Sequence, residues 1–157
     1  MAKVHHSAIG TRDMEASLAF WRDGLGFEVQ MDERFEGDWP ALFGGSSMSL
    51  RSVFMGEPAA PDSGVVELVE MADMVERGPT PPAAAPPAAG FFLLSLFADL
   101  DEVLPRMLAL GVGGEPRLIS VSGVRLAVVH DPNGVRVELM DRGAQANLAR
   151  RAAPPAP

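Results

Sequence analysis

Three side chains in this sequence stand where acid–base or metal chemistry could be done. Glu67 lies in Val66-Glu67-Leu68 and Glu138 in Val137-Glu138-Leu139, each a carboxylate set between Val and Leu. Strand alternation puts either glutamate on the face opposite its apolar neighbours. One such strand alone would simply show a solvated face. Two matching strands whose inner faces curve towards each other would bring the carboxylates together, and unpaired convergent carboxylates need a cation. His6, in the opening stretch Val4 to Gly10, supplies the third point. A strand histidine is commonly a satisfied core residue. One imidazole with two carboxylates is also a donor set for Mn, Fe, Co, Ni or Zn, with positions left open for water and substrate. His5 adjoins His6, so on a strand the two should face opposite ways. His130 precedes Asp131 at a strand end and reads as a surface or turn residue.

The rest of the inventory narrows the chemistry. The 157 residues include no cysteine and no tyrosine, which excludes thiolate nucleophiles, cysteinyl zinc, iron–sulfur clusters and a phenolic acid. Lys3 is the only lysine, so a Schiff-base or phosphate-loop lysine is not expected. Thirteen basic against 21 acidic residues give a net charge of −8, and no basic face suggests nucleic acid as a partner. No apolar run reaches the ~18 residues of a membrane span. The opening Met1-Ala2-Lys3-Val4-His5-His6 lacks a signal-peptide core, so a cytoplasmic protein is expected. Carboxylates, histidines and arginines remain.

The elements that must position them repeat. Val4 to Gly10 reads as a strand, Asp13 as a helix cap with Glu15 beside the positive helix end, and Leu18, Phe20, Trp21 and Leu25 as the buried stripe, closed by Gly24 and Gly26. Strands are expected at Phe27 to Met31, Ala41 to Phe43, Ser47 to Met55 and Val65 to Met71. The second half opens with a strand at Phe91 to Phe97. Asp99 then caps a helix, with Glu102 at capping-box spacing. Val103, Leu104, Met107 and Leu108 form its stripe, Gly111 ends it, and Pro105 removes at most one backbone bond. Strands follow at Pro116 to Ser120, Val124 to His130 and Val135 to Asp141. Between the last two, Asp131-Pro132-Asn133-Gly134 forms a hairpin turn in which Asn-Gly can take positive φ. Asp13-Met14-Glu15 matches Asp99-Leu100-Asp101, Leu25-Gly26 matches Leu110-Gly111, and Val66 to Glu70 matches Val137 to Asp141. The expected fold is therefore α+β, two tandem βαβββ modules over residues 1–71 and 91–142. Residues 72–90, with five prolines between Pro79 and Pro87, read as a linker, and residues 143–157 as a flexible tail.

Val4 to Ile9, Asp13, Ser17-Leu18, Phe20-Trp21 and Gly24-Leu25-Gly26-Phe27 resemble the opening module of the vicinal oxygen chelate superfamily. This is the glyoxalase, bleomycin-resistance and extradiol-dioxygenase group. Asp131 to Gly134 with Val137-Glu138-Leu139 resembles its closing hairpin. The resemblance implies a curved mixed-sheet cleft and places His6, Glu67 and Glu138 at the first, second and fourth metal-ligand positions. The offset from Asp13 to Asp99 places Phe92 at the third, where phenylalanine cannot bind a metal. Either a divalent ion has three protein ligands, or the pocket is metal-free.

With a metal, the resemblance implies a lyase, isomerase or epimerase on a small oxygen-chelating metabolite, with Glu138 first and Glu67 second as the ligand that also serves as base. Arg34, Arg51, Arg125 and Arg136 are candidate clamps for an anionic substrate. Arg136 shares the Glu138 face and is the first of them, with a salt bridge to Glu138 or Glu67 as the plain alternative. The rival is a drug- or metabolite-binding protein without turnover, in which Phe92, Trp39, Phe35, Trp21 and the nine methionines stack on a flat apolar ligand. A ring-cleaving dioxygenase stands third, weakened by the absent second histidine. Exposed sheet edges favour a homodimer, as the superfamily's paired modules do.

Overall fold

The computed structural model of the protein describes residues 1–60, 64–76 and 89–143. Most of the expected linker and tail lies outside the described residues. The chain divides into two compact units, Met1–Pro79 and Thr80–Pro157.

The first unit runs β1 (His6–Gly10), α1 (Met14–Leu18), a π-helical continuation (Ala19–Gly24), β2 (Glu28–Glu36), α2 (Trp39–Phe43), β3 (Ser49–Gly56) and β4 (Val65–Met71). The second runs β5 (Leu94–Ala98), α3 (Leu100–Leu110), β6 (Arg117–Val121), β7 (Val124–His130) and β8 (Arg136–Asp141). Their sheets have the same topology, β1-β4-β3-β2 and β5-β8-β7-β6. In each, the first strand lies parallel to the last and the other pairs are antiparallel. The fold is α+β, a tandem repeat of one βαβββ unit.

Both main helices start where their aspartates can accept free first-turn amides. Asp13 Oδ1 takes the amide of Ala16 at 2.9 Å. Asp99 Oδ1 takes those of Asp101 and Glu102 at 3.0 and 3.2 Å. Glu102 does not reach back as a capping box would; it pairs with Arg106 one turn on, at 2.9 Å. After α1 the helix widens, the amide of Leu25 bonding the carbonyl of Phe20 at 3.0 Å. The adjacent Phe20 and Trp21 are both fully buried there, and their rings meet edge to face. In α3 the buried residues are Leu100, Val103 and Met107. Leu108 of the expected stripe is 79% exposed, because only one side of α3 is covered.

Two expectations about strands are corrected. Ala41 to Phe43 is helical, since Asp38 accepts the amide of Ala41 and Pro40 stands in the first turn, where its missing N–H costs nothing. The second strand continues past Met31 to Glu36, pairing with β3 along its length although Asp32 to Glu36 is mostly charged. It is a sheet edge, where pairing is decided by backbone partners and charge is tolerated.

Asp131 holds the last hairpin. It is 4% exposed, and its carboxylate accepts the amides of Asn133 and Val135 at 2.9 and 2.8 Å and the Asn133 side chain at 3.0 Å. Only Gly134 takes positive φ in this turn, at 79°, so Asn133 serves through its amide groups and not through a left-handed backbone. Asp131→Ala strands two partly buried amides and should lower unfolding stability by about 2 kcal/mol, read as a lower urea midpoint with unchanged slope.

Candidate functional site

The parallel pairing of β1 with β4 sets Ala8 opposite Glu67. His6, two residues earlier, therefore shares the Glu67 face, and its Nε2 lies 3.2 Å from Glu67 Oε2. Ser52, on β3, donates its hydroxyl to Glu67 Oε1 at 2.5 Å. Phe54 stands opposite Glu67 on β3, its ring 5.1 Å from that of His6 and edge-on to it. Glu67 is only 14% exposed, and each of its oxygens has a partner. That is what a carboxylate set among apolar neighbours requires.

His5 does not point away from His6 as strand alternation suggested. β1 begins at His6, so His5 is free of the pleat, and the two Nδ1 atoms lie 2.9 Å apart. One of them must carry a proton. If His6 donates through Nε2 to Glu67, its Nδ1 accepts from His5, giving a hydrogen-bond chain of His5, His6, Glu67 and Ser52.

In the second unit Ser95 lies opposite Glu138 on β5 and donates to its Oε2 at 2.7 Å. Counting back two residues, as from Ala8 to His6, reaches Leu93 and not Phe92. Ala8 stands five residues before the Asp13 cap and Ser95 four before Asp99, which shifts the offset by one. Leucine binds metal no better than phenylalanine. Phe92 instead carries the Arg136 guanidinium over its ring, 4.9 Å from the centroid. Among the described residues Arg136 makes no ion pair, so the bridge to Glu138 or Glu67 is absent.

Two other candidate clamps, Arg51 and Arg125, are committed elsewhere, and Arg34 lies 4.0 Å from Glu70. Arg51 sits one residue from Ser52 in β3, so it faces away from Glu67, and it grips Asp32 through two bonds of 2.8 and 2.7 Å. This bond to Arg51 holds the Asp32 carboxyl below its ordinary value. Arg125 is forked onto Asp101 and Asp141. Trp39 donates to the carbonyl of Phe35 at 3.1 Å and stacks on Phe43, with Phe43 and Leu42 exposed on α2. Trp21 is core.

Among the described residues no group of three or more His, Asp or Glu side chains is arranged to hold a metal ion. His6 and Glu67 offer two donors, and both oxygens of Glu67 are already engaged. Within the first unit the donor set stops at His6 and Glu67, since Glu138 belongs to the second unit. Ser52 and Ser95 were not foreseen. Their signal was a polar residue inside an apolar strand, the same signal that marked the two glutamates.

The sequence profile of the Glyoxalase/Bleomycin resistance protein/Dioxygenase superfamily matches residues 3–139. The chain belongs to this superfamily. The lactoylglutathione lyase-like protein terB of Aspergillus terreus is 34% identical over 149 residues, covering 88% of this chain and 75% of that protein. A glyoxalase family protein from Bacillus cereus superposes with a TM-score of 0.69 at 17% identity, over 90% of this chain and 94% of its own. The trypanothione-dependent glyoxalase I of Leishmania major does so at 0.67 and 20%, over 96% and 94%. At these identities the two structures speak for the glyoxalase fold. No helix among the described residues is long and apolar enough to cross a membrane.

His130 pairs with Arg136 across β7 and β8. Burial first, then Arg136 and Arg117, lowers its pKa from the ordinary 6.5, against a smaller opposing pull from Asp131. Below pH 6.5 the unfolded chain therefore takes up a proton that the folded one resists, and stability falls until the lower folded pKa is reached. His130→Gln should flatten the stability profile in that window, measured by urea unfolding at stepped pH.

Proposed function

We propose that this member of the superfamily is a lyase or isomerase of the glyoxalase type, acting by proton transfer on a small oxygenated metabolite, with Glu67 as base. The observation that carries the reading is the Glu67 carboxylate, mostly buried on a sheet face and oriented at both oxygens by Ser52 and His6. Such a carboxylate takes a proton from a carbon beside a carbonyl. The adjacent imidazole returns a proton to the carbonyl oxygen, giving an enediol that reverts with the proton on the neighbouring carbon. His5 can resupply His6 through their shared Nδ1 contact. Ser52 positions Glu67, and Phe54 holds the His6 ring edge-on. The name of the Aspergillus terreus relative agrees with this reaction class. A divalent Zn, Ni, Co, Mn or Fe ion bound by His6, Glu67 and Glu138 belongs to the wider family reading, but the described donors do not assemble it and no step here depends on it.

The test is deuterium uptake from heavy water at the carbon beside the carbonyl, followed by NMR for S-lactoylglutathione and for small α-hydroxy ketones. The wild-type protein should catalyse exchange, Glu67→Gln should lose about 100-fold or more, and Ser52→Ala about tenfold. Exchange that survives in Glu67→Gln would assign the base elsewhere, with Glu138 the next carboxylate to replace. Elemental analysis of the same preparations checks the metal. Turnover should persist after exhaustive chelation, and one tightly held transition metal per chain, lost with activity in His6→Ala, would reverse that expectation.

Binding without turnover is a second reading, favoured by Arg136 lying over Phe92 with no ion-pair partner among the described residues and by Phe97, Ile119 and Val121 exposed in the same unit. Saturable quenching of tryptophan fluorescence by a ligand panel, with no exchange for any member, would select it.

A further inference from the structure

A second site lies at the other end of β4, where the chain leaves the first sheet. Arg12, Arg34, Glu70, Met71, Ala72 and Met74 line a cavity of about 340 Å³, at the small end of ligand-sized pockets. Glu70 is three residues beyond Glu67, roughly 10 Å along the strand, and alternation turns it to the opposite face. The cavity is therefore distinct from the His6–Glu67 cluster.

Its charges are left over from their own pairing. Arg34 and Arg51 stand directly opposite each other on β2 and β3, and Arg51 stands opposite Glu70 on β4. Two guanidinium groups at such a position repel. Asp32 takes the hydrogen bonds of Arg51 through a two-point contact, so Arg51 reaches Glu70 only by charge attraction. Arg34 is left with Glu70, at 4.0 Å, beyond hydrogen-bond distance. Neither group makes a hydrogen bond to any described residue. The Glu70 side chain is only 28% exposed, while that of Arg34 is 62% exposed and can swing outward. Arg12, on the rim, is bridged to Glu76 at 2.8 Å. Met71 and Met74 add an adaptable apolar wall. Gly10 leaves room for that wall, since a β-carbon there would come within 3.0 Å of the Met74 methyl.

An anion entering this cavity would meet the carboxylate of Glu70, and a cation would meet two guanidinium groups. A ligand that carries both charges on neighbouring atoms satisfies both. We propose that the cavity binds a free amino acid with an apolar side chain. Its ammonium lies against Glu70, its carboxylate against Arg34 with Arg12 in reserve, and its side chain against Met71 and Met74.

Isothermal titration of the intact protein with L-methionine and L-leucine tests this. N-acetyl-L-methionine, which lacks the cation, and L-methionine methyl ester, which lacks the anion, serve as controls. Saturable binding with a Kd of about 1 mM or below is expected, weakened roughly tenfold or more in either single-charge derivative. Arg34→Gln and Glu70→Gln should each remove it, with unchanged circular dichroism. Glu67→Gln should bind as the wild type does, whatever becomes of its turnover. Absence of saturation up to about 20 mM, or acetylated and free methionine binding alike, overturns the proposal. So does loss of binding in Glu67→Gln, which would merge this cavity with the first site.

Discussion

A carboxylate inside an apolar strand must be matched by donors, and much of the first unit is arranged around that requirement. Glu67 is flanked by Val66 and Leu68, which are 2% and 0% exposed on the opposite face. A slip of one residue in β4 would drive the glutamate into that core and turn the two apolar side chains outward. The parallel register with β1, which brings His6 alongside, and the antiparallel register with β3, which brings Ser52, are thus fixed by the same side chain that the pair then orients. Burial that left either oxygen of Glu67 without a partner would cost on the order of 1–3 kcal/mol. The polar cluster is both a condition for the register and its product.

The second unit solves the same problem with other neighbours. Glu138 receives its hydroxyl from the parallel strand, through Ser95, where Glu67 receives one from the antiparallel strand, through Ser52. With leucine at the position corresponding to His6, no imidazole joins Glu138. Its strand partner in the sequence, Arg136, goes over the Phe92 ring instead. One fold, repeated, therefore carries a histidine–carboxylate–serine cluster in one copy and an aromatic–guanidinium surface in the other. A duplicated unit can diverge in this way because the core alternation of each copy, Leu68 with Val53 or Leu139 with Ala127, stays intact while the opposite face is exchanged.

This division explains what could be read from the sequence. The repeat was legible because cap, helix end and final strand recur as residue types at matched spacing, and the two glutamates recur with them. The α2 turn was not, since Trp39 to Phe43 is as apolar as a strand, and only Asp38 and Pro40 mark its helical start. The exposed edge strand β2 was read short for the opposite reason: its outer half is mostly charged, and its pairing comes from β3 and not from its own side chains. Arg51 was a reasonable clamp by residue type. Parity along β3, counted from Ser52, already turned it away from Glu67, but nothing marked Ser52 as a partner until the strands were paired. Phe92 was misplaced by one residue because the loop before Asp13 is longer than that before Asp99, a difference that only the sheet register exposes.

The absent residue types bear on the chemistry as firmly as those present. Without cysteine or tyrosine, and with lysine confined to position 3, the side chains able to move protons near neutral pH are histidines and carboxylates. Two of the three histidines, His5 and His6, lie together, and His6 stands against Glu67, a carboxylate whose two oxygens are both held. A purely structural Glu67 would need only the hydroxyl and one further donor. A second imidazole behind the first adds nothing to that, because His5 makes no contact with the carboxylate. What His5 does add is a neighbour that can exchange a proton with His6. A chain of this kind, with one end at a mostly buried carboxylate and the other at exposed His5, links a site partly screened from water to a source of protons.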